Sequence, residues 1–445
     1  MNGTGKTYIL MISIVAALGG LLFGFDTAII SGTIPYITPF FKLDALDLGW
    51  AVGCILIGCA AGALLAGRCA DLLGRKPTLF LCAVLFAVSG LGAGFSSDFG
   101  LFVFFRLIGG LGVGAAAMVS PMYIAETVPA NLRGRLVSLY QLAIVLGILL
   151  AYFSNYSFAG FGENNWRWMF ASQTGPALLF LVMLFFVPET PRWLAMKGYR
   201  ETALAVLKKV SDEDALAEIE LLEIENSFAD QGASSIRLLF SKMYRPVLLI
   251  GIMVAVFQQV TGINAILYYA PVIFKETGLD NASALLQTIG IGVVNVAATF
   301  IAIKWVDKVG RKRFLVAGSL VMGTALLAIA LCFQLKYFDN YIVLICMIAY
   351  VGAFGCTLGA VTWVYLSEIF PNRVRSLALS VATLCLWLAD FVVTYTFPVM
   401  VDRLGTTLTL SSYALCCALA FGFFYWKLPE TKDRSLEEIE SLFIK

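Results

Sequence analysis

The chain has 445 residues, 60% of them hydrophobic and only 13% charged, with a net charge of +2. Soluble globular chains carry roughly 25% charged residues, so a soluble fold would need helices buried on nearly every face. No basic run is interleaved with aromatics, which excludes a nucleic-acid surface, and the chain has no histidine, which removes the usual zinc and catalytic-triad chemistries.

The charges cluster. Ten stretches contain no Asp, Glu, Lys or Arg: 48–67, 77–97, 107–125, 136–162, 168–188, 246–274, 281–303, 314–335, 340–367 and 404–426. Crossing a bilayer takes about 20 apolar residues. Two more stretches, 8–31 and 376–400, qualify if Asp26 and Asp390 are allowed inside them. The expectation is an all-α membrane protein of twelve transmembrane helices. The first stretch is long enough to span, and its internal charge suggests a working helix rather than a signal peptide. The ten cysteines lie mostly in the apolar spans, where they act as small hydrophobes, and none has metal-ligand spacing. No metal or cofactor site is expected, nor a nucleophile and base arranged for an enzyme.

Short loops assign the sides. Loop 68–76 holds Arg68, Arg75 and Lys76, and loop 304–313 holds Lys304, Lys308, Arg311, Lys312 and Arg313. The opposite loops hold about one cation each: Lys42, Arg167, Lys275, Lys336 and Arg403. The positive-inside rule puts the first set and both termini in the cytoplasm, with the protein in a plasma membrane, and compact loops suggest a bacterial one.

The two halves repeat. Asp71-Leu72-Leu73-Gly74-Arg75-Lys76 recurs as Asp307-Lys308-Val309-Gly310-Arg311-Lys312. Glu126 with Arg133 and Arg135 recurs as Glu368 with Arg373 and Arg375, and Pro188-Glu189-Thr190 as Pro429-Glu430-Thr431. This predicts a six-helix bundle over 1–190, a cytoplasmic linker over 191–243, a second bundle over 244–430 and a tail over 431–445. The linker carries a possible capping box at Ser211-Asp212-Glu213-Asp214. Leu216, Ile219 and Leu222 follow at helical spacing, so two or three short helices are expected there.

Asp26 lies deep in the first span, where a charge costs roughly 2.5–3.5 kcal/mol and is functional by default. Arg106 is its natural partner. Helix 1 is expected to end near residue 32 and helix 4 to begin near 100, so both charges sit about 9 Å from one end of their helices. Asp390 shares a helical face with Trp387. It reads equally as a ligand to substrate hydroxyls, a second working charge or a bond to a neighbouring helix. Gln258 and Gln259 are costly in an apolar helix without partners. With Gln141, Asn264 and Asn295 they form a plausible polar set for hydroxylated ligands, or interhelical glue. Aromatic residues in the spans are as readily core packing.

Two signals mislead. Gly3-Thr4-Gly5-Lys6-Thr7 ends like a phosphate loop but lacks its first glycine and a preceding strand. Gly110-Leu111-Gly112-Val113-Gly114-Ala115 imitates a dinucleotide fingerprint inside an apolar span, where small residues serve helix packing.

Taken in order, several motifs resemble the sugar porters of the major facilitator superfamily. Gly67-Arg68 through Lys76 resembles the loop between helices 2 and 3. Pro188-Glu189-Thr190-Pro191-Arg192-Trp193 and Pro429-Glu430-Thr431-Lys432 resemble the signatures after helices 6 and 12. Gln258 through Asn264, with Tyr268-Tyr269-Ala270-Pro271, resembles the sugar-binding helix 7, and Trp363 through Pro371 resembles helix 10 and its exit. The resemblance runs from about residue 10 to 440 and is strongest to bacterial proton-coupled pentose and hexose symporters.

That resemblance implies two pseudo-symmetric bundles that rock around a central site. The imported substrate is a monosaccharide moved with a proton, and a single chain suffices. Asp26 becomes the proton acceptor, modulated by Arg106. Gln141, Gln258, Gln259, Asn264, Asn295 and Trp363 become sugar ligands, with Phe23, Tyr269 and Trp387 as pocket aromatics. Glu126, Arg133, Arg135, Glu189, Arg192, Glu368, Arg373, Arg375 and Glu430 become a cytoplasmic gate, where composition alone says solvated loop charges. Ile148, Leu386 and Ala360 depart from the pattern, standing where Gln, Gln and Pro are common. A facilitative uniporter, a polyol transporter and a proton-coupled antiporter are the competing readings.

Overall fold

In a computed structural model the chain forms helices joined by short turns and loops across its described residues, which are 3–211, 214–229, 236–338, 341–371, 373–432 and 438. Among them, ten helices long and apolar enough to cross a membrane run from Thr7–Phe41 to Ile342–Ile369. An eleventh stretch, Arg375–Lys427, divides at Gly405, whose φ of 80° breaks the helix, and so supplies two spans. The twelve expected spans are therefore present. The first runs on through Pro35 and Pro39 to Phe41, beyond the end expected near residue 32.

Local chemistry sets the ends. Asp98 caps Phe99–Thr127 by accepting from Leu101 N, and Asp280 caps Asn281–Val309 by accepting from Ala282 N. The third span, Arg75–Gly94, and the ninth, Arg311–Leu335, start after Gly74 and Gly310, at φ 110° and 101°. Glycine has no side chain to cap a helix, and those caps are supplied from elsewhere in the chain, as described below.

Three spans are interrupted. The sixth keeps helical backbone through Gln173, between Asn165–Ser172 and Thr174–Met183, but loses a step of its hydrogen-bond ladder there, just before Pro176, which has no N–H to donate. The seventh breaks at Thr261 and Gly262 between Arg245–Val260 and Ile263–Glu276; Gly262 takes φ 91°, left-handed backbone that favours glycine. The tenth breaks at Thr357, between Ile342–Cys356 and Leu358–Ile369. No proline is needed there, although Ala360 replaces the residue that would have signalled a break. An interruption frees backbone polar groups inside a membrane protein, and they must find partners.

Between the sixth and seventh spans lie short helices Pro191–Met196, Arg200–Val210, Asp214–Ala229 and Ile236–Leu239. Leu194, Ala203, Val206, Leu207, Ala217 and Leu221 form their small core. Leu216, Ile219 and Leu222, read from the sequence as the apolar face, are instead about half exposed. The helix turns Ala217 and Leu221 inward. Asp212 and Glu213 of the expected capping box lie outside the described residues.

The contacts group the chain into two units. One holds Met1–Thr27, Gly58–Ala151 and Arg167–Ala233; the other holds Ala28–Ile57, Tyr152–Trp166 and Ser234–Lys445. The second unit thus takes in one end of the first, second and fifth spans. There Trp50 meets Phe391 edge-on at 5.8 Å, Tyr152 donates its hydroxyl to Leu267 O at 3.0 Å, and a Cβ on Gly49 would collide with Tyr395 O.

Candidate transport site

In the first unit, Arg106 Nη1 meets Asp26 Oδ1 at 2.7 Å and donates to Asp26 O at 3.1 Å. Both side chains are fully buried. The pairing expected from the sequence is therefore present, although helix 1 extends nine residues further than was assumed. The Arg106 guanidinium lies 5.6 Å from the Phe170 ring. The pair is incompletely satisfied: Asp26 Oδ2 and Arg106 Nε and Nη2 have no hydrogen-bond partner, nor has Oε1 of the buried Gln173. A buried ion pair gains little unless its remaining lone pairs and protons are used. Here Asp26 Oδ2 makes no hydrogen bond, although the Gln173 side chain stands close enough to act on the carboxylate. Gly109 makes the space, because a Cβ there would stand 2.7 Å from Asp26 Oδ2. Gln173 and Gly109 escaped the sequence reading. The glycine-rich run of helix 4 and an amide inside a charge-free span were the available signals.

In the second unit the amides of the seventh span form a directed chain. Gln258 Nε2 donates to Leu358 O at 2.9 Å and Gly359 O at 3.4 Å, just after the break of the tenth span. Gln259 Nε2 donates to Gln258 Oε1 at 3.4 Å, and Asn264 Nδ2 to Gln259 Oε1 at 3.0 Å. Asn264 Nδ2 also donates to Asp390 Oδ2 at 2.7 Å. Thr394 Oγ1 donates to Asp390 Oδ1 at 3.2 Å. The reciprocal service comes from Tyr350 of the tenth span, whose hydroxyl donates at 2.9 Å to Thr261 O, at the break of the seventh. Both interruptions are thus capped by side chains from the other span.

The remaining sequence candidates are distributed as follows. Phe23 and Gln141 belong to the first unit and are partly buried. Asn295 is buried, and its Oδ1 would lie 2.8 Å from a Cβ on Gly355. Tyr269 is buried, donates to Thr394 O at 3.2 Å and stacks on Phe397 at 4.8 Å. It therefore ties the seventh span to the eleventh. Trp387 is buried, whereas Trp363 is 38% exposed.

The repeated charges form two matching networks, one in each half. Arg75 grips Glu126 with Nε and Nη2, each at 2.9 Å, and Thr190 Oγ1 donates to the same carboxylate at 2.8 Å. Arg311 Nη2 meets Glu368 Oε1 at 2.6 Å, and Thr431 Oγ1 donates to Glu368 Oε2 at 2.6 Å. Glu189 accepts from Lys76 N at 3.0 Å and so caps the third span. Glu430 accepts from Arg311 N at 2.8 Å and caps the ninth. A carboxylate at a helix N-terminus satisfies orphan N–H groups and faces the positive end of the dipole. The arginines that hold Glu126 and Glu368 are Arg75 and Arg311, which the sequence reading used for the repeat and for sidedness but not for the gate. Arg373 is exposed, and Arg375 donates from Nε to Phe370 O at 3.1 Å. Arg192 is partly buried. The side chains of Arg133 and Arg135 lie outside the described residues.

Comparison with known proteins places this geometry. The sequence pattern of the "Sugar (and other) transporter" family matches residues 12–443. The chain belongs to the sugar porter family. It is 42% identical over 477 residues to the D-xylose-proton symporter of Escherichia coli K12, covering 98% of this chain and 96% of that protein. It is 39% identical over 444 residues to the arabinose-proton symporter of Bacillus subtilis, covering 98% and 96%. The inward-open conformation of the E. coli xylose transporter XylE superimposes with a TM-score of 0.88 at 40% identity, covering 98% of this chain and 100% of that one.

This sugar porter is accordingly a multi-pass membrane transporter of the major facilitator fold and not an enzyme. Its departures from the family pattern acquire physical meaning in the second unit. Leu386 is buried and offers no polar group, while Asp390, one turn beyond it, brings a carboxylate into contact with Asn264.

Proposed function

We propose that this sugar porter imports a monosaccharide together with a proton across the plasma membrane by alternating access, with both termini in the cytoplasm. The observation that carries the reading is the Asp26–Arg106 pair: fully buried, joined at 2.7 Å, with Asp26 Oδ2 left without a donor. In the ionised state Arg106 holds Asp26 Oδ1. A proton arriving at Oδ2 neutralises the carboxyl, weakens its hold on the guanidinium and frees the first span to move against the fourth. Names of relatives at about 40% identity, which are D-xylose and arabinose proton symporters, support the same substrate class.

Sugar recognition is assigned to Gln141, Gln259, Asn264, Asn295 and Trp363, with Phe23 and Trp387 as apolar walls and Asp390 attached to Asn264. Gln258 and Tyr269 serve mainly to hold spans together, since the Gln258 amide nitrogen and the Tyr269 hydroxyl are committed to backbone carbonyls. The organisation follows as bundles 1–190 and 244–430 joined by the helical linker 191–243, with a tail over 431–445. Positive loops at 68–76 and 304–313 support the cytoplasmic placement of the termini. Glu126, Glu189, Glu368 and Glu430 brace the cytoplasmic loops, with Arg133, Arg135, Arg192, Arg373 and Arg375 nearby in sequence. One chain contains both bundles, so it works as a monomer.

The test is reconstitution into liposomes with labelled xylose and glucose, with and without an inward proton gradient, beside Asp26→Asn. Symport predicts gradient-driven accumulation that the variant loses while keeping downhill exchange. Equal, gradient-indifferent flux in both proteins would make this a uniporter. Absence of flux for either sugar would redirect the substrate search to polyols and other hexoses.

A further inference from the structure

Asp390 is the second carboxylate buried within a span, and nothing in the coupling scheme above uses it. It is 1% exposed. Its two hydrogen-bond donors are Asn264 Nδ2 on Oδ2 at 2.7 Å and Thr394 Oγ1 on Oδ1 at 3.2 Å. Among the described residues no cation acts on it. On the spans packed here, the titratable side chains are hydroxyls and a thiol turned to backbone carbonyls. Tyr269 of the seventh span donates to Thr394 O and Tyr413 of the twelfth to Val393 O; Tyr350 of the tenth and Cys417 of the twelfth face Thr261 O. The first-half segment packed on this region places Trp50 against Phe391.

A carboxylate only accepts hydrogen bonds, whereas a carboxylic acid also donates one. The ionised Asp390 therefore fixes Asn264 with its nitrogen toward Oδ2. Both protons of that nitrogen are then spent, one on Asp390 and one on Gln259 Oε1. Asn264 is left to meet a ligand with its oxygen alone. A proton taken from solvent onto Asp390 Oδ2 reverses the demand. The new O–H donates to an oxygen, so Asn264 turns its Oδ1 to Asp390 and releases its nitrogen from Gln259.

We propose that Asp390 is a second protonation site, separate from the Asp26–Arg106 pair, and that its protonation state sets whether Asn264 offers an acceptor or a donor to the substrate. The inference rests on the sugar-porter reading for its ligand but not for its titration. It makes Asp390 a positioning residue acting through Asn264.

The experiment uses the full-length protein purified in detergent, in an Asp26→Asn background that removes the first site. Infrared difference spectra are recorded without sugar from about pH 5 to about pH 8. They should include a carboxylic-acid carbonyl band that is absent from Asp26→Asn/Asp390→Asn and shifted in Asp26→Asn/Asp390→Glu. The glutamate variant keeps a carboxyl if the amide impairs folding. Xylose affinity over the same range should vary several-fold in Asp26→Asn and be flat in Asp26→Asn/Asp390→Asn. Identical infrared spectra with and without Asp390 would overturn the proposal, and so would xylose affinity that is independent of pH in Asp26→Asn. If the wild type binds no xylose, the sugar assignment fails on its own, and the infrared band still decides whether Asp390 titrates.

Discussion

The side-chain amide of Gln258 donates to the carbonyl of Leu358 at 2.9 Å, joining the interrupted seventh span to the interrupted tenth. Its neighbour Gln259 makes no such backbone bond and hands its nitrogen to Gln258 Oε1 at 3.4 Å. Two adjacent glutamines thus divide the work, one closing a helix break and the other bonded only to the side-chain amides of Gln258 and Asn264.

Replacing Gln258 with Leu leaves the Leu358 and Gly359 carbonyls without that donor inside the protein. An unsatisfied buried acceptor costs about 1–3 kcal/mol. Gln258→Leu should therefore lower the melting temperature in detergent and weaken sugar binding together. Gln259→Leu should weaken sugar binding while leaving the melting temperature within error. A thermal-shift series with and without xylose separates the two, and equal destabilisation by both variants would refute the division.

The Asp26–Arg106 pair predicts a compensation. Arg106→Leu strands a fully buried carboxylate, and breaking a buried pair costs about 3–5 kcal/mol. Asp26→Asn/Arg106→Leu removes both charges and should recover most of that loss. Fluorescence-detected size-exclusion profiles after heating would report it. The double variant should remain inactive in gradient-driven uptake, since no proton acceptor remains at this site. A double variant as unstable as the single would mean that Arg106 matters for packing against Phe170 rather than for charge.

Gly109→Ala places a methyl group 2.7 Å from Asp26 Oδ2 and closer still to Ser89 Oγ. Contacts that tight force the carboxylate aside. Uptake at saturating sugar should fall and its pH profile should move, while expression and melting temperature change little beside Arg106→Leu. An unchanged pH profile would show that Oδ2 is not where the proton lands.

Much of this was legible in the sequence because a bilayer simplifies the code. Charge-free stretches marked the spans, and the Gly74-Arg75-Lys76 and Gly310-Arg311-Lys312 repeat marked the two halves. The Asp26–Arg106 pair was legible because a lone intramembrane charge must find its opposite. The breaks at Gln173 and Thr357 were not read, although Gly175-Pro176 follows the first and Gly355 and Gly359 flank the second, because glycine is frequent all through these spans and so marks no one position. Leu216, Ile219 and Leu222 misled for a related reason. Helical spacing identifies a face but not which face the neighbouring helix covers, and Ala217 and Leu221 won that contact. Tyr269 has the composition of a pocket aromatic, yet its hydroxyl goes to Thr394 O and its ring to Phe397.

The caps made by Glu189 and Glu430 lead to a pH prediction. Glu189 accepts from Lys76 N at 3.0 Å and Thr190 N at 2.7 Å. Burial nevertheless pushes its carboxyl above the ordinary glutamate range, outweighing those donors and the nearby Arg75. An acid raised in the folded state contributes stability that is fully present below its unfolded value, about 4.3. That contribution is lost as pH rises through the raised value. Glu189→Gln cannot titrate. The wild type should therefore be most favoured over Glu189→Gln at the acidic end and lose that advantage as the pH climbs above about 4.3. Melting temperatures of both proteins measured across that interval test the sign directly. A wild type that gains on Glu189→Gln with rising pH would mean that the helix N-terminus, rather than burial, governs this carboxylate. Glu189 would then act as an ionised cap at every pH where the protein is folded.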